Sequence, residues 1–459
     1  MRSQDSAHRA QHISPLQPPM GDLIRVGSRR WFLQTGLAGL AGLGLANTLP
    51  AQPTRRNQDR KAVILFWLSG GPSQIDTWDP KPDAPREIRG PYRTIPTRVP
   101  GVRFCEHLPL QARLMDKLTV IRSIDCSTSN HTPITMQAGN PLARRLDTDR
   151  DGGGYPSMGS VAARFRGTNS FPMPAFVGLA PSWRADVWGA GHMGHPYEPV
   201  KGDELPGRLA LPQGINVPRL QERADLRRQF DRLRREVDNP PHAAPSRAGR
   251  GNFADQAYDM VVARRVEEAF AVHREPDRLR DAYGRTSVGE KALLARRLVE
   301  AGTTFVLVSG RWGYFDHHGD DVPPWGGIQR GLTPILPTID MALSALIHDL
   351  ESRGLLDSTL ILMMGEFGRS PVMTADAGRN HWTNVMSMLL AGGGLRHGRT
   401  LGSTDSRGGV IHSRRVGPSD LAATVFRHLD IPLDSHWLNP QGRPVPIVTE
   451  GGQPIAELF

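Results

Sequence analysis

Residues 62–79 read AVILFWLSGGPSQIDTWD, and this stretch decides the fold class. Seven apolar residues run unbroken from Ala62 to Leu68 and stop at Ser69-Gly70-Gly71-Pro72. Such a run suits a strand buried on both faces of a parallel sheet, because a half-exposed strand would alternate apolar and polar residues. Four more runs of this kind follow at Leu118–Ile124, Thr303–Val308, Thr359–Met364 and Met386–Leu390. Between them the spacing turns helical. Leu298 to Gly302 closes a helix on a glycine stop, and Ile339, Ala342, Leu346 and Leu350 form an apolar face that ends at Gly354. Strand, helix, strand from Thr303 to Met364 is a βαβ unit, so the expected class is α/β.

Position then points to a site. In open parallel sheets, ligands gather at the carboxyl ends of the strands. Four of the five runs lead directly into hydroxyls, carboxylates or imidazoles. The first enters SGGPSQIDTWD, with Ser69, Ser73, Asp76 and Asp79; the second enters DCSTSNHTP, with Ser127, Ser129, His131 and Thr132. The third enters GRWGYFDHHGDD, with Asp316, His317 and His318. The fourth enters GEFGRSP, with Glu366 and Arg369, followed by GRNHW with Arg379 and His381. Carboxylates and imidazoles from several loops suit a hard or borderline divalent ion: zinc first, with manganese, magnesium or calcium as alternatives. Such ions polarise a phosphoryl or sulfuryl oxygen and activate a hydroxyl nucleophile. Arg369 or Arg379 could clamp the remaining anionic oxygens. Each residue also has a plainer reading: Asp76 and Asp79 as turn and cap residues, His317 and His318 as surface loop, Glu366 as a helix N-terminal acid.

Composition narrows the partners. The chain has 459 residues and a formal charge of +10, but five of its Arg lie in the first 51 residues, and only five of its 56 basic residues are Lys. The Arg are dispersed among acids, which reads as a solvated surface rather than a nucleic-acid face. The two cysteines, Cys105 and Cys126, are a candidate pair or two buried thiols, and are too few for a Cys-rich metal site. No apolar run reaches the ~18 residues of a membrane span. Leu220, Ala224, Leu226, Phe230, Leu233 and Val237 line one face of an Arg-rich helix; a Pro/Gly/Ala-rich break follows from Asn239 to Gly251, then a second helix from about Asp255 to His273. This segment, about 215–290, is expected to be a helical insertion covering the sheet or a cleft.

The start of the chain reads as an address. Ser28-Arg29-Arg30-Trp31-Phe32-Leu33-Gln34 resembles a twin-arginine export signature, the apolar stretch Thr35–Ala46 follows, and Asn47–Ala51 offers a small-residue cleavage zone. Residues 1–51 are therefore expected to be a signal read by the twin-arginine export machinery, and residues 52–459 a periplasmic or secreted domain. Met20 offers an alternative start.

Long stretches of the chain resemble one family: FWLSGGPSQIDTWDPKPDAPREIRGPY, EHLP, ARLMDKLTVIRS, LLARRLVEAGTTFVLV, MMGEFGRSP, GRNHW and LGSTDSRGG. They are similar to an exported bacterial family, domain of unknown function 1501, grouped with sulfatase-like proteins in the alkaline-phosphatase superfamily. The resemblance spans nearly all of 52–459. It implies a sulfatase-like α/β/α sandwich with a mostly parallel sheet. It also implies Asp76 and Glu366 on one metal, Asp316, His318 and His381 on another, and Ser129 or Thr132 as nucleophile. His131, His317 and Arg379 are additional candidates. Two departures stand out. Phe367 occupies a position where the superfamily carries a metal-binding His, a loss His131 could offset. Cys126-Ser127-Thr128-Ser129-Asn130 lacks the Pro and Arg that formylglycine maturation requires.

The expected function is metal-dependent hydrolysis of a phosphate or sulfate ester, with an anionic, glycan-like substrate. The alternative is a non-catalytic binder of an anionic glycan or envelope component. Nucleic-acid binding through the Arg-rich helix would predict affinity that collapses with salt, and it explains less of the chain.

Overall fold

The computed structural model describes residues 60–143, 152–205, 216–238, 258, 264–321, 326–449 and 451–459. The stretch expected to be an export signal and the 239–251 break lie outside these residues. Eight strands form the main sheet: β1 (Ala62–Trp67), β2 (Leu118–Ile124), β3 (Phe176–Leu179), β4 (Val200–Lys201), β5 (Phe305–Ser309), β6 (Thr359–Met364), β7 (Met386–Gly392) and β8 (Arg399–Leu401). Their spatial order is β8-β2-β7-β6-β1-β5-β3-β4. β1 pairs in parallel with β5 on one side and β6 on the other, as the βαβ reading requires. Every residue of β1 is 1% exposed or less, so both of its faces are core.

One face, carrying Ala62, Ile64 and Phe66, packs under α1 (Pro109–Arg113), α5 (Ser287–Ala301) and α6 (Leu336–Ser352). The other, carrying Val63, Leu65 and Trp67, packs under α2 (Ile134–Ala138), α3 (Met158–Phe165) and α7 (Pro418–His428). Helices on both faces of a mostly parallel sheet make an α/β/α sandwich. Each large side chain buried this way contributes about 1.5–3 kcal/mol. The helical run Ile328–Ser352 is long and apolar enough by composition to cross a membrane. Its apolar residues, Leu336, Ile339, Leu343, Leu346 and Leu350, are nevertheless buried in the core.

The structure changes three expectations. β7 is antiparallel to both neighbours, β6 and β2, whereas the other seven strands run together. Burial on both faces leaves no mark of strand direction in the sequence. Because β7 is reversed, its first residue rather than its last lies at the functional edge, which is why no polar cluster follows it. Short strands β3, β4 and β8 also extend the sheet beyond the five expected. Helix α4 (Val217–Asp238) forms, but Leu226 and Phe230 on its apolar face are exposed and cover neither sheet nor cleft. Cys105 and Cys126 are separate buried thiols, and burial raises the pKa of both.

Candidate metal centre

The loops after β1, β2, β5 and β6 meet at one edge of the sheet. A two-residue hairpin completes the meeting: Gly368–Arg369 pairs antiparallel with His381–Trp382, which sets His381 directly beside Arg369. The centre of the cluster is Asp316, from the loop after β5. Its Oδ1 lies 2.9 Å from His318 Nε2 and 3.1 Å from His381 Nε2, and it also accepts from Arg369 Nη2. Its Oδ2 lies 3.2 Å from His131 Nε2. The other nitrogen of that ring, Nδ1, is 2.8 Å from Glu366 Oε1, so His131 bridges two carboxylates. His318 and His381 face each other with Nε2 atoms 2.9 Å apart. The three imidazoles are part-exposed, while Asp316 and Glu366 are nearly sealed.

Electrostatics follow from this packing. Burial would raise the Asp316 pKa, but hydrogen bonds from His131 and His381 and the Arg369 charge hold it far below the carboxylate range. Burial would lower that of His131, yet Asp316 and Glu366 overcome it and push the imidazole up to about 9. His318 shifts the other way, through burial and the neighbouring Arg369 cation. A buried carboxylate oxygen with no donor is costly, and Glu366 Oε2 is such an atom. Ligand atoms of His131, Asp316 and His381 lie within 4.8 Å of one another. Three imidazoles and two carboxylates, one with an unsatisfied oxygen, fit a borderline cation such as zinc.

Asp316, His318 and His381, expected on one ion, lie together, while Glu366, expected on a second ion with Asp76, joins them instead through His131. Phe367 packs against this group, its ring 4.7 Å from that of His381 and 5.5 Å from that of His131.

Other residues are placed differently. Asp76 is not brought to the imidazoles: Arg379 Nε donates to its Oδ2 at 2.6 Å and Nη2 to its Oδ1 at 3.3 Å, and Ser73 Oγ adds a 2.5 Å bond. Both members of that pair are wholly buried, so Arg379 cannot clamp a ligand and Asp76 has its charge already neutralised. Arg369 is also consumed, donating to the carbonyls of Gly70, Gly71 and Arg379 as well as to Asp316. It positions Asp316 and has no donor group left for a substrate oxygen. Asp79 is held by Lys81 at 3.0 Å and Arg122 at 3.3 Å. His317 is buried, and its carbonyl accepts from the Arg379 amide. The Ser129 and Thr132 hydroxyls bond within their own loop, to Asn130 O at 3.4 Å and Asn130 Oδ1 at 2.6 Å. Of this loop, His131 is the residue that reaches the carboxylates.

Two supports escaped sequence reasoning. The Gln74 amide grips Arg369 at both backbone atoms, accepting from N at 2.9 Å and donating to O at 2.8 Å. The Gly70 amide donates to Glu366 Oε1 at 2.8 Å, and a Cβ at Gly70 would lie 2.5 Å from the Asp316 nitrogen. Paired glycines directly after an apolar run were the available signal for the second. Nothing marked the first.

Fold and site together define an α/β/α protein with a His/Asp/Glu cluster at the carboxyl edge of its sheet. The family model described as "Protein of unknown function (DUF1501)" matches residues 60–459, and the chain belongs to that family. No curated protein matches the chain. Among solved structures it is similar to a protein in the alkaline phosphatase superfamily from Vibrio parahaemolyticus, at 10% identity over 94% of this chain and 79% of that one, with a TM-score of 0.41. It is also similar to the PsFucS1 sulfatase from Pseudoalteromonas sp., at 11% identity over 81% and 68% with a TM-score of 0.36. The phosphonate monoester hydrolase of Agrobacterium radiobacter matches at 16% identity over 86% and 78%, with a TM-score of 0.32.

Proposed function

We propose that this protein is an exported, metal-dependent hydrolase of phosphate or sulfate esters. The observation that carries the reading is the convergence of His131, His318 and His381 on Asp316, with Glu366 and its unsatisfied oxygen beside them. His131, Asp316, His318, His381 and Glu366 would hold the cation, zinc being the best match to the donor set. When bound, it supplies a Lewis acid and lowers the pKa of an attacking hydroxyl. Arg369 keeps Asp316 ionised and oriented. The attacking oxygen comes from Thr132 or Ser129, in the loop that carries His131, or from water, and its proton leaves to solvent at the part-exposed face of the cluster. Residues 1–51 act as a twin-arginine signal, residues 52–459 form the working domain with its helical insertion at about 215–290, and the protein works in the periplasm or outside the cell.

Elemental analysis of the purified protein and hydrolysis of aryl phosphate and aryl sulfate test this. Bound divalent metal and turnover of one ester are expected, and Asp316→Ala should abolish both. An Asp316→Ala protein that keeps its metal and its turnover would overturn the assignment. One observation favours ligand binding without turnover: neither loop hydroxyl bonds any member of the imidazole cluster. Metal binding with no turnover of any ester would select that reading.

A further inference from the structure

A cleft of about 620 Å³ opens beside the sealed Asp76–Arg379 pair, well within the ~300–1,000 Å³ of ligand sites. Lys81, Arg86, Arg89 and Arg93 line it, and none of its lining residues is an acid. Arg86, Arg89 and Arg93 are exposed and form no ion pair among the described residues, whereas Lys81 pairs with Asp79. The nearest acids in sequence, Asp83 and Glu87, do not line the cleft, and Glu106 accepts from the Arg93 backbone amide. Three like charges kept together without partners raise one another's energy, and a bound polyanion relieves this.

The cleft is joined to the metal centre through Arg379. Its guanidinium donates to the Ile88 carbonyl, in the short helix that carries Arg86 and Arg89, while its own carbonyl accepts from Arg369. Gly90, in the cleft wall, passes so close above the pair that a Cβ there would lie 2.6 Å from Asp76 Oδ1. Among the described lining residues Tyr92 is the single aromatic. Its hydroxyl is tied to Ile328 O at 2.8 Å and Thr333 Oγ1 at 3.0 Å, and its ring meets His107 edge-on. A tethered ring gives a nucleobase no stacking platform, but guanidinium forks suit sulfate and phosphate groups.

We propose that this cleft binds the sulfated or phosphorylated units of an anionic polysaccharide, and that it holds the chain while one ester lies at the metal centre. The second half of that statement rests on the proposed hydrolase reading; the binding does not.

The test measures binding of full-length protein to size-defined dextran sulfate by calorimetry at about 150 mM salt, where exposed charges more than ~8 Å apart are screened. Neutral dextran and an oligothymidylate of matched charge serve as comparisons. Replacing Arg86, Arg89 and Arg93 by Gln should weaken dextran sulfate binding roughly tenfold or more. It should also reduce the slope of log Kd against log salt by about two, since three cations no longer displace counterions. Replacing the exposed Arg265, Arg274 and Arg278 by Gln removes the same charge elsewhere and should leave binding within about twofold. Equal losses in both triple variants, or no loss in the first, would overturn the proposal. So would oligothymidylate binding as tightly through the same three Arg. Binding is read without turnover, so a protein that grips the polymer through the cleft yet hydrolyses no aryl ester overturns the hydrolase reading and leaves this one standing.

Discussion

Two buried Arg–Asp pairs sit side by side in this molecule and do different things. Arg379 and Asp76 form a sealed pair in which both carboxylate oxygens accept from one guanidinium and Ser73 fills the remaining space. Arg369 and Asp316 form an open pair, in which the same carboxylate also meets three imidazoles that water can reach. The Arg of both pairs come from one stretch, residues 369–379, and both Asp from loops at the same edge of the sheet. A carboxylate becomes available to a ligand when imidazoles and solvent, rather than a second set of fixed donors, share its lone pairs. The sealed pair is scaffold. Buried ion pairs are weak evidence of stabilisation, but removing one partner strands a charge.

The largest expected effect follows from that asymmetry. Arg379→Ala leaves the Asp76 carboxyl without its guanidinium partner in a dry site and should cost about 3–5 kcal/mol, close to the whole stability of many domains. Arg369→Ala should cost less, because His131 and water remain on Asp316, and added zinc should recover part of the loss by binding the native state. Thermal melts with and without zinc decide the matter. If zinc rescued both variants equally, the two pairs would not differ in the way their geometry indicates.

The histidines sharpen the comparison at the two ends of the sheet. His131 lies between carboxylates, whereas His428 is buried at the opposite edge with Nε2 3.0 Å from the Ala62 carbonyl. Burial first, then the nearby Lys61 and Arg166 charges, bring His428 down to about 4. Its folded pKa is below the unfolded value of about 6.5, so between these values the unfolded chain binds more protons. Stability should therefore fall as pH drops from about 6.5 to 4, by up to about 3 kcal/mol. Urea unfolding at pH 7 and pH 4.5 measures it. A His428→Gln protein should lose most of the pH slope, and an unchanged slope would assign the acid sensitivity elsewhere.

How much of this was legible depends on the kind of interaction. The five long strands announced themselves because a strand buried on both faces is apolar at most positions, with no regular alternation. The direction of β7 did not, because burial is the same either way. Short edge strands such as Val200–Lys201 are set by their neighbours, and two residues carry no pattern. In the site, Asp316, His318, Glu366 and His381 were readable because each follows a readable strand or its hairpin. Asp76 followed one too and was expected as a ligand, but the structure pairs it with Arg379. Its partner lies 303 residues away in sequence, and no local pattern shows which Arg a carboxylate will meet.

The smallest expected effect tests one oxygen in each pair. Ser73 Oγ donates to Asp76 Oδ2 and accepts from the Asp76 amide at 3.2 Å, so Ser73→Ala removes two bonds without touching the guanidinium fork. Bonds to a charged group contribute about 1.5–3 kcal/mol, and water cannot replace this one in a sealed site, so a loss of about 2 kcal/mol is expected. The matching oxygen of the open pair, Asp316 Oδ2, is bonded by His131. His131→Gln should sharply weaken zinc binding, whereas Ser73→Ala should leave it unchanged. Denaturant unfolding of the first variant, with zinc titration of both, separates the pairs. Zinc affinity unchanged by His131→Gln would break the comparison. The imidazoles would then be structural partners of Asp316 rather than ligands waiting for a cation.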